Sequence, residues 1–200
     1  MKKTIFFSLL VLMLSFTACQ STDKKTSKTD DVTYSVKDAK HTLQWTAYKT
    51  TAKTPVKGTF KTINVIKGGQ GQSVKEAVNG VDFEIPVNTI FSKDSIRDSK
   101  LKEFFFGKMV NTALLSGKIV LETDDKGYID LMMNNTKQRL PFTYKIEGKT
   151  FSLEGKMELK DWQALDALGK LHEVCFDLHK GVDGVSKTWE EVAVSLKSEF

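Results

Sequence analysis

The chain has 200 residues with 30 Lys and Arg against 25 Asp and Glu, a formal net charge of +5. Removing Lys2 and Lys3 with a signal segment takes that to +3, and the lysines are scattered among acids without interleaved aromatics, which excludes a nucleic-acid footprint. No segment holds the roughly 20 consecutive apolar residues that a membrane-spanning helix needs, and about 180 residues after Cys19 suffice for one domain with its own core.

In chain order, Lys2 and Lys3 precede a run from Ile5 to Leu14 that is apolar apart from Ser8, which reads as a secretory signal over residues 1–18. Phe16-Thr17-Ala18-Cys19 resembles the lipobox of bacterial lipoproteins, with Phe16 in place of the usual Leu. The resemblance implies lipidation of Cys19, and three acyl chains at about 0.8 kcal/mol per buried CH₂ anchor a protein stably. Gln20 after the cysteine, where Asp is absent, resembles lipoproteins sent to the outer membrane; the periplasmic and surface faces stay open as alternatives. With Cys19 lipidated, Cys175 is the one thiol left, so no intrachain disulfide forms. Gln20 to Asp31 lacks apolar residues and balances three lysines with three aspartates, so residues 19–31 are expected to be a disordered tether.

From residue 32 to 200 the dominant pattern has period two. It runs through Leu43/Trp45/Ala47, Val81/Phe83/Ile85/Val87, Ala113/Leu115/Gly117/Ile119/Leu121, Ile129/Leu131/Met133, Leu140/Phe142/Tyr144/Ile146, Phe151 to Lys160, and Val192/Val194/Leu196. Asn134-Asn135 and Glu147-Gly148-Lys149 fit tight hairpin turns, and Asp124-Asp125-Lys126-Gly127 fits another. Two segments break the alternation. Ser92 to Phe106 predicts a short helix turning Ile96, Leu101, Phe104 and Phe105 inward, and Asp161 to Lys180 predicts a helix with Asp161 as N-cap that stops at Gly181. A strand through Val174/Phe176/Leu178 competes with the second half of that helix. Strands with one apolar face and little helix to cover it close most economically into an all-β antiparallel barrel or sandwich; the barrel is favoured, and glycines 58, 117 and 155 permit its bends.

Tyr34-x-Val36-x-Asp38-x-x-His41-Thr42-x-x-Trp45, Gly58-x-Phe60-Lys61, Asp94-Ser95-x-Arg97-Asp98-x-x-Leu101-x-x-Phe104-Phe105, and Asp130-Leu131-Met132-Met133-Asn134-Asn135-Thr136-Lys137 together resemble the YceI-like family. This family is polyisoprenoid-binding and lipocalin-like, and the match runs from Tyr34 to the C-terminus. Met132, Asn135 and Thr136 replace the family's Thr, Gly and Val in the hairpin, and Trp162 to Trp189 departs from a shorter link. The resemblance implies a barrel whose tunnel holds an isoprenoid chain of the quinone or polyprenyl type, with no resident cofactor and no catalysis.

Strand parity and the helix reading nominate Trp45, Phe60, Phe83, Ile85, Phe104, Phe105, Leu115, Leu131, Met133, Phe142 and Phe151 as tunnel lining. The pattern alone favours a barrel of about eight strands filled by its own side chains, whose outer surface then serves adhesion or assembly in the envelope, and only the family resemblance reverses that preference. His172, Cys175 and His179 share one helical face, which suggests a metal or redox site; the competing reading is a face packed on the barrel, because three ligands on one helix seldom close a site. No Gly-x-Ser-x-Gly elbow accompanies the three histidines, Gly68, Gly69 and Gly71 lack the setting of a phosphate loop, and Asp94/Asp98 and Asp124/Asp125 lack calcium-loop spacing. Oligomeric state is not legible in the sequence.

Overall fold

The computed structural model describes residues 33–200; the expected signal segment, Cys19 and the tether lie outside the described residues. The elements in chain order are β1 (Tyr34–Ser35), β2 (Lys40–Lys49), β3 (Thr54–Phe60), β4 (Asn64–Lys67), β5 (Gln70–Gly71), α1 (Val74–Val78), β6 (Asp82–Pro86), β7 (Ile90–Phe91), α2 (Ser95–Lys100), β8 (Leu114–Leu121), β9 (Lys126–Met133), β10 (Thr136–Glu147), β11 (Thr150–Glu158), α3 (Leu165–Val174) and β12 (Glu191–Glu199). Ten strands form one antiparallel sheet in the order β4-β6-β8-β9-β10-β11-β12-β2-β3-β7, and β1 pairs separately with β5. The expected lipocalin-like β architecture is therefore present as a strongly curled sheet. Its hydrogen-bond ladder does not close, because β4 and β7 remain edges. Pairing of β12 with β2, with Leu196 opposite Leu43 and Val194 opposite Trp45, joins the two ends of the chain within the sheet.

Alternation drives this arrangement: buried Ile129, Leu131 and Met133 on β9 and Leu140, Phe142 and Tyr144 on β10 all turn to the concave side while their neighbours face water. The β9–β10 hairpin turns through Asn134 and Asn135, both near φ +50°, which suits the primed turn that the right-handed strand twist requires. Asn135 thus supplies one of the two positive φ angles of the turn.

Glycines inside strands act by leaving room rather than by bending alone. A Cβ on Gly58 would lie 2.1 Å from the Trp45 ring of the facing strand, and one on Gly117 would lie 2.7 Å from Phe83. Each large ring lies across the bare backbone of its partner.

The expected helix from Asp161 to Lys180 is corrected to three pieces: a 3₁₀ turn at Leu159–Trp162, the helix α3, and a second 3₁₀ turn at Asp177–His179. Gln163 adopts φ +54°, so Asp161 caps nothing in α3, and Ala164 precedes the helix without a side-chain cap. Tertiary contacts override the helical period here. The Trp162 indole, 1 % exposed, donates to the Leu131 carbonyl at 3.0 Å, and the Asn134 amide donates to the carbonyls of Trp162 and Gln163 at 3.0 and 2.8 Å. The competing strand at 174–178 does not form.

The Ser92–Phe106 helix is present with Asp94 as its N-cap, accepting from Arg97 N–H at 3.0 Å. It widens into a π-turn at Leu101–Phe105 before a 3₁₀ turn at Phe106–Lys108. Buried Asp98 accepts from the Ser92 amide at 2.9 Å and the Ser92 hydroxyl at 2.6 Å, tying the helix back onto its own entry. Ile96 is not buried as expected: it is 70 % exposed while still bordering the cavity on the concave side.

Candidate functional site

The concave face encloses a cavity of about 520 Å³. Its wall is almost wholly apolar and draws on every long strand, with α3 and the 101–106 turns covering one side. A void of this size means that the side chains do not plug the barrel, which counts against the filled-barrel reading.

Polar groups lie at the two extremes of β2. Toward its start, His41 Nε2–H donates to the Val36 carbonyl at 2.7 Å and Nδ1 pairs with the Ser198 hydroxyl at 2.8 Å, so both ring nitrogens have partners. Toward its end, Lys49, Arg97, Lys100, His179 and Thr188 gather at the lining. His41 and Lys49 stand eight positions apart on one strand, roughly 26 Å at about 3.3 Å per residue, whereas a sphere of the cavity's volume would be only about 10 Å across. The void is long and narrow.

Of the nominated residues, Trp45, Phe60, Phe83, Ile85, Phe105, Leu115, Leu131, Met133 and Phe151 line this cavity. Phe104 and Phe142 do not, and both are corrected. Phe104 sits half-buried with the Lys108 ammonium 5.9 Å above its ring, displaced from the interior by the π-turn that carries its neighbour Phe105 inward. Phe142 is buried edge-on against Tyr144, where its ring covers the backbone of Gly127, so its bulk is spent between strands. Leu43, Val56, Val192, Val194 and Leu196 were missed, yet they line the cavity and are only half-buried because its open space faces them. Each strand's apolar face was legible, but only the pairing of β12 with β2, which sets Val194 opposite Trp45 and Leu196 opposite Leu43, brings the two faces together on one wall.

The His172/Cys175/His179 face does not assemble a ligand set. Among the described residues no group of three or more His, Cys, Asp or Glu side chains is placed to hold a metal ion. Both histidines instead direct Nδ1 at the Thr188 hydroxyl, at 2.9 and 2.6 Å; one hydroxyl proton serves only one of them, so the other ring must donate. Burial pushes the Cys175 thiol up, away from the thiolate that redox chemistry uses.

Burial, aided by Lys49 and His172, lowers His179 to about 4, so the ring is neutral in the folded protein. Its unfolded counterpart titrates near 6.5, so the unfolded chain takes up the proton first. Stability is therefore fully present above pH 6.5 and declines as the pH falls toward about 4. Urea unfolding midpoints should drop over that window, and His179→Gln should flatten the drop; an unchanged slope in the variant would contradict the assignment.

A family model described as a YceI-like domain matches residues 34–200. Among solved structures, a polyisoprenoid binding domain from Saccharophagus degradans, implicated in plant cell wall breakdown, is similar at TM-score 0.57 and 10 % identity, over 84 % of this chain and 97 % of that one. BcnA of Burkholderia cenocepacia aligns at TM-score 0.46 and 14 % identity, over 78 % of this chain and 94 % of its own. The YCEI protein of Campylobacter jejuni aligns at TM-score 0.47 and 18 % identity, over 68 % and 82 %. No curated protein matches significantly. The family match covers every described strand from β1 to β12, and the chain belongs to the YceI-like family.

Proposed function

We propose that this domain binds and carries a long apolar lipid of the isoprenoid type in its barrel, without catalysing a reaction, while tethered to the cell envelope through lipidated Cys19. The observation that carries the reading is the elongated, apolar cavity of about 520 Å³, within the 300–1,000 Å³ range typical of small-molecule sites. Its polar groups stand at the ends, which suits an amphiphile with its tail in the middle. The polyisoprenoid binding of a structural relative supports the same ligand class.

Magnitudes favour a long chain. Burial of about fifteen methylenes at about 0.8 kcal/mol each gives roughly 12 kcal/mol, above the middle of the about 4–15 kcal/mol cost of association, whereas about five methylenes give only roughly 4 kcal/mol. Short-chain lipids should bind weakly and long ones tightly. The Phe16-Thr17-Ala18-Cys19 motif and Gln20 support an anchor in the outer membrane, which would hold the domain near its lipid supply. Native mass spectrometry of protein purified from its own membrane tests the reading: a discrete added lipid mass is expected, and a clean apo mass would overturn it.

A further inference from the structure

The segment Phe176–Thr188, within the stretch where this chain departs from its family's shorter link, builds one lip of the cavity mouth. Leu178, His179 and Thr188 line the cavity at its base. Beyond them, Lys180 bridges to Ser186, Gly181 N–H donates to the Val185 carbonyl at 3.0 Å, and Gly184 N–H donates to the Gly181 carbonyl at 3.0 Å. The Thr51 hydroxyl fixes the tip by donating to Asp183 at 2.6 Å, and the Lys49 ammonium fixes the base by donating to the Leu178 carbonyl at 3.1 Å. This is a built loop, yet its tip offers Val182 wholly to solvent, with Val185 52 % and Leu178 58 % exposed. Exposed Ile96 on α2 adds a further apolar side chain at the cavity lining.

Charge at the mouth is unbalanced. Asp177 is paired with Lys180 and Asp94 with Arg97, whereas Asp183 keeps its negative charge while accepting from the Thr51 hydroxyl and the Val185 amide, so with Lys49 and Lys100 these groups leave a net charge of +1. Lys49 and Lys100 donate only to the carbonyls of Leu178 and Val174, and among the described residues neither has a carboxylate partner. An apolar tip standing above a base that carries the Lys49 and Lys100 ammonium groups suits the surface of an anionic bilayer.

We propose that this lip docks on an anionic phospholipid bilayer, with Val182 and Val185 entering the interface and Lys49 and Lys100 facing the headgroups, so that the cavity mouth opens toward the acyl layer. The proposal rests on the lipid-carrying reading for its purpose and on the lip alone for its geometry.

The test uses the full chain with Cys19→Ser and Cys175→Ser, carrying an environment-sensitive fluorophore at Val182→Cys or, as control, at exposed Lys145→Cys near the His41 end. Vesicles of phosphatidylglycerol and phosphatidylcholine should raise the emission at 182 at least about threefold with a blue shift, weaken in added salt, and leave 145 unchanged. Val185→Asp should reduce the response without altering the unfolding midpoint. A water-like label at 182, equal responses at both positions, or an equal response to phosphatidylcholine alone would overturn the proposal. So would the same rise without vesicles at raised protein concentration, which would identify a second copy of the chain as the occupant. Lipid mass measured on the same preparation separates the two readings: a filled barrel with a dry tip defeats docking alone, and an inserted tip with an empty barrel defeats carriage alone.

Discussion

Leu196→Trp should cost the domain most of its affinity for a long lipid while leaving it folded. Leu196 opposes Leu43 and Leu153 across its two neighbouring strands and is only half-buried because the cavity lies before it. An indole there projects into existing space, so the usual penalty of overpacking should stay within about 1 kcal/mol. The ring would take the place of about three or four methylenes of ligand, worth about 3 kcal/mol, which is about a hundredfold in affinity. Displacement of a fluorescent long-chain probe measures the binding, and urea unfolding checks the fold. Unchanged affinity in a folded variant would mean that ligand does not pass Leu196.

Trp162→Ala should give the largest loss of stability of any single substitution in the 159–179 segment. The side chain is 1 % exposed and its indole N–H satisfies the Leu131 carbonyl at 3.0 Å. Truncating a buried Trp costs about 3–5 kcal/mol. The variant also loosens the 3₁₀ turn whose carbonyls receive the Asn134 amide, coupling the damage to the β9–β10 hairpin. For a domain of this size, thermal unfolding should drop by about 10 °C. Trp162→Phe keeps most of the bulk and loses the hydrogen bond, so it should cost about 1–2 kcal/mol. A drop of less than about 3 °C for the alanine variant would contradict the packing described.

Much of the sheet was legible because one face of each strand is wet and the other apolar: β9, β10 and β11 are readable from period two, and Asn134-Asn135 marks its turn by chemistry. Short elements were not. β1, β5 and β7 have two residues each, too few for any period, and α1 has five. The helical period through Trp162 and Leu165 was real but misleading, since it passes over Gln163, whose backbone is left-handed and whose carbonyl accepts from the Asn134 amide of the neighbouring hairpin. Within the site, parity placed Trp45, Phe83 and Leu131 on the cavity, whereas the π-turn that separates Phe104 from Phe105 leaves no trace in spacing. Parity also cannot distinguish a side chain that fills the barrel from one that bounds a void; Phe142 and Leu131 share a face and differ in this respect.

The occupancy of the long void is the central claim, and native mass spectrometry of protein taken from its own membrane tests it most directly. A discrete lipid adduct on wild type that is lost in Leu196→Trp is the predicted result. A wild-type spectrum showing protein mass alone, from a preparation in which the fold is intact, would contradict it.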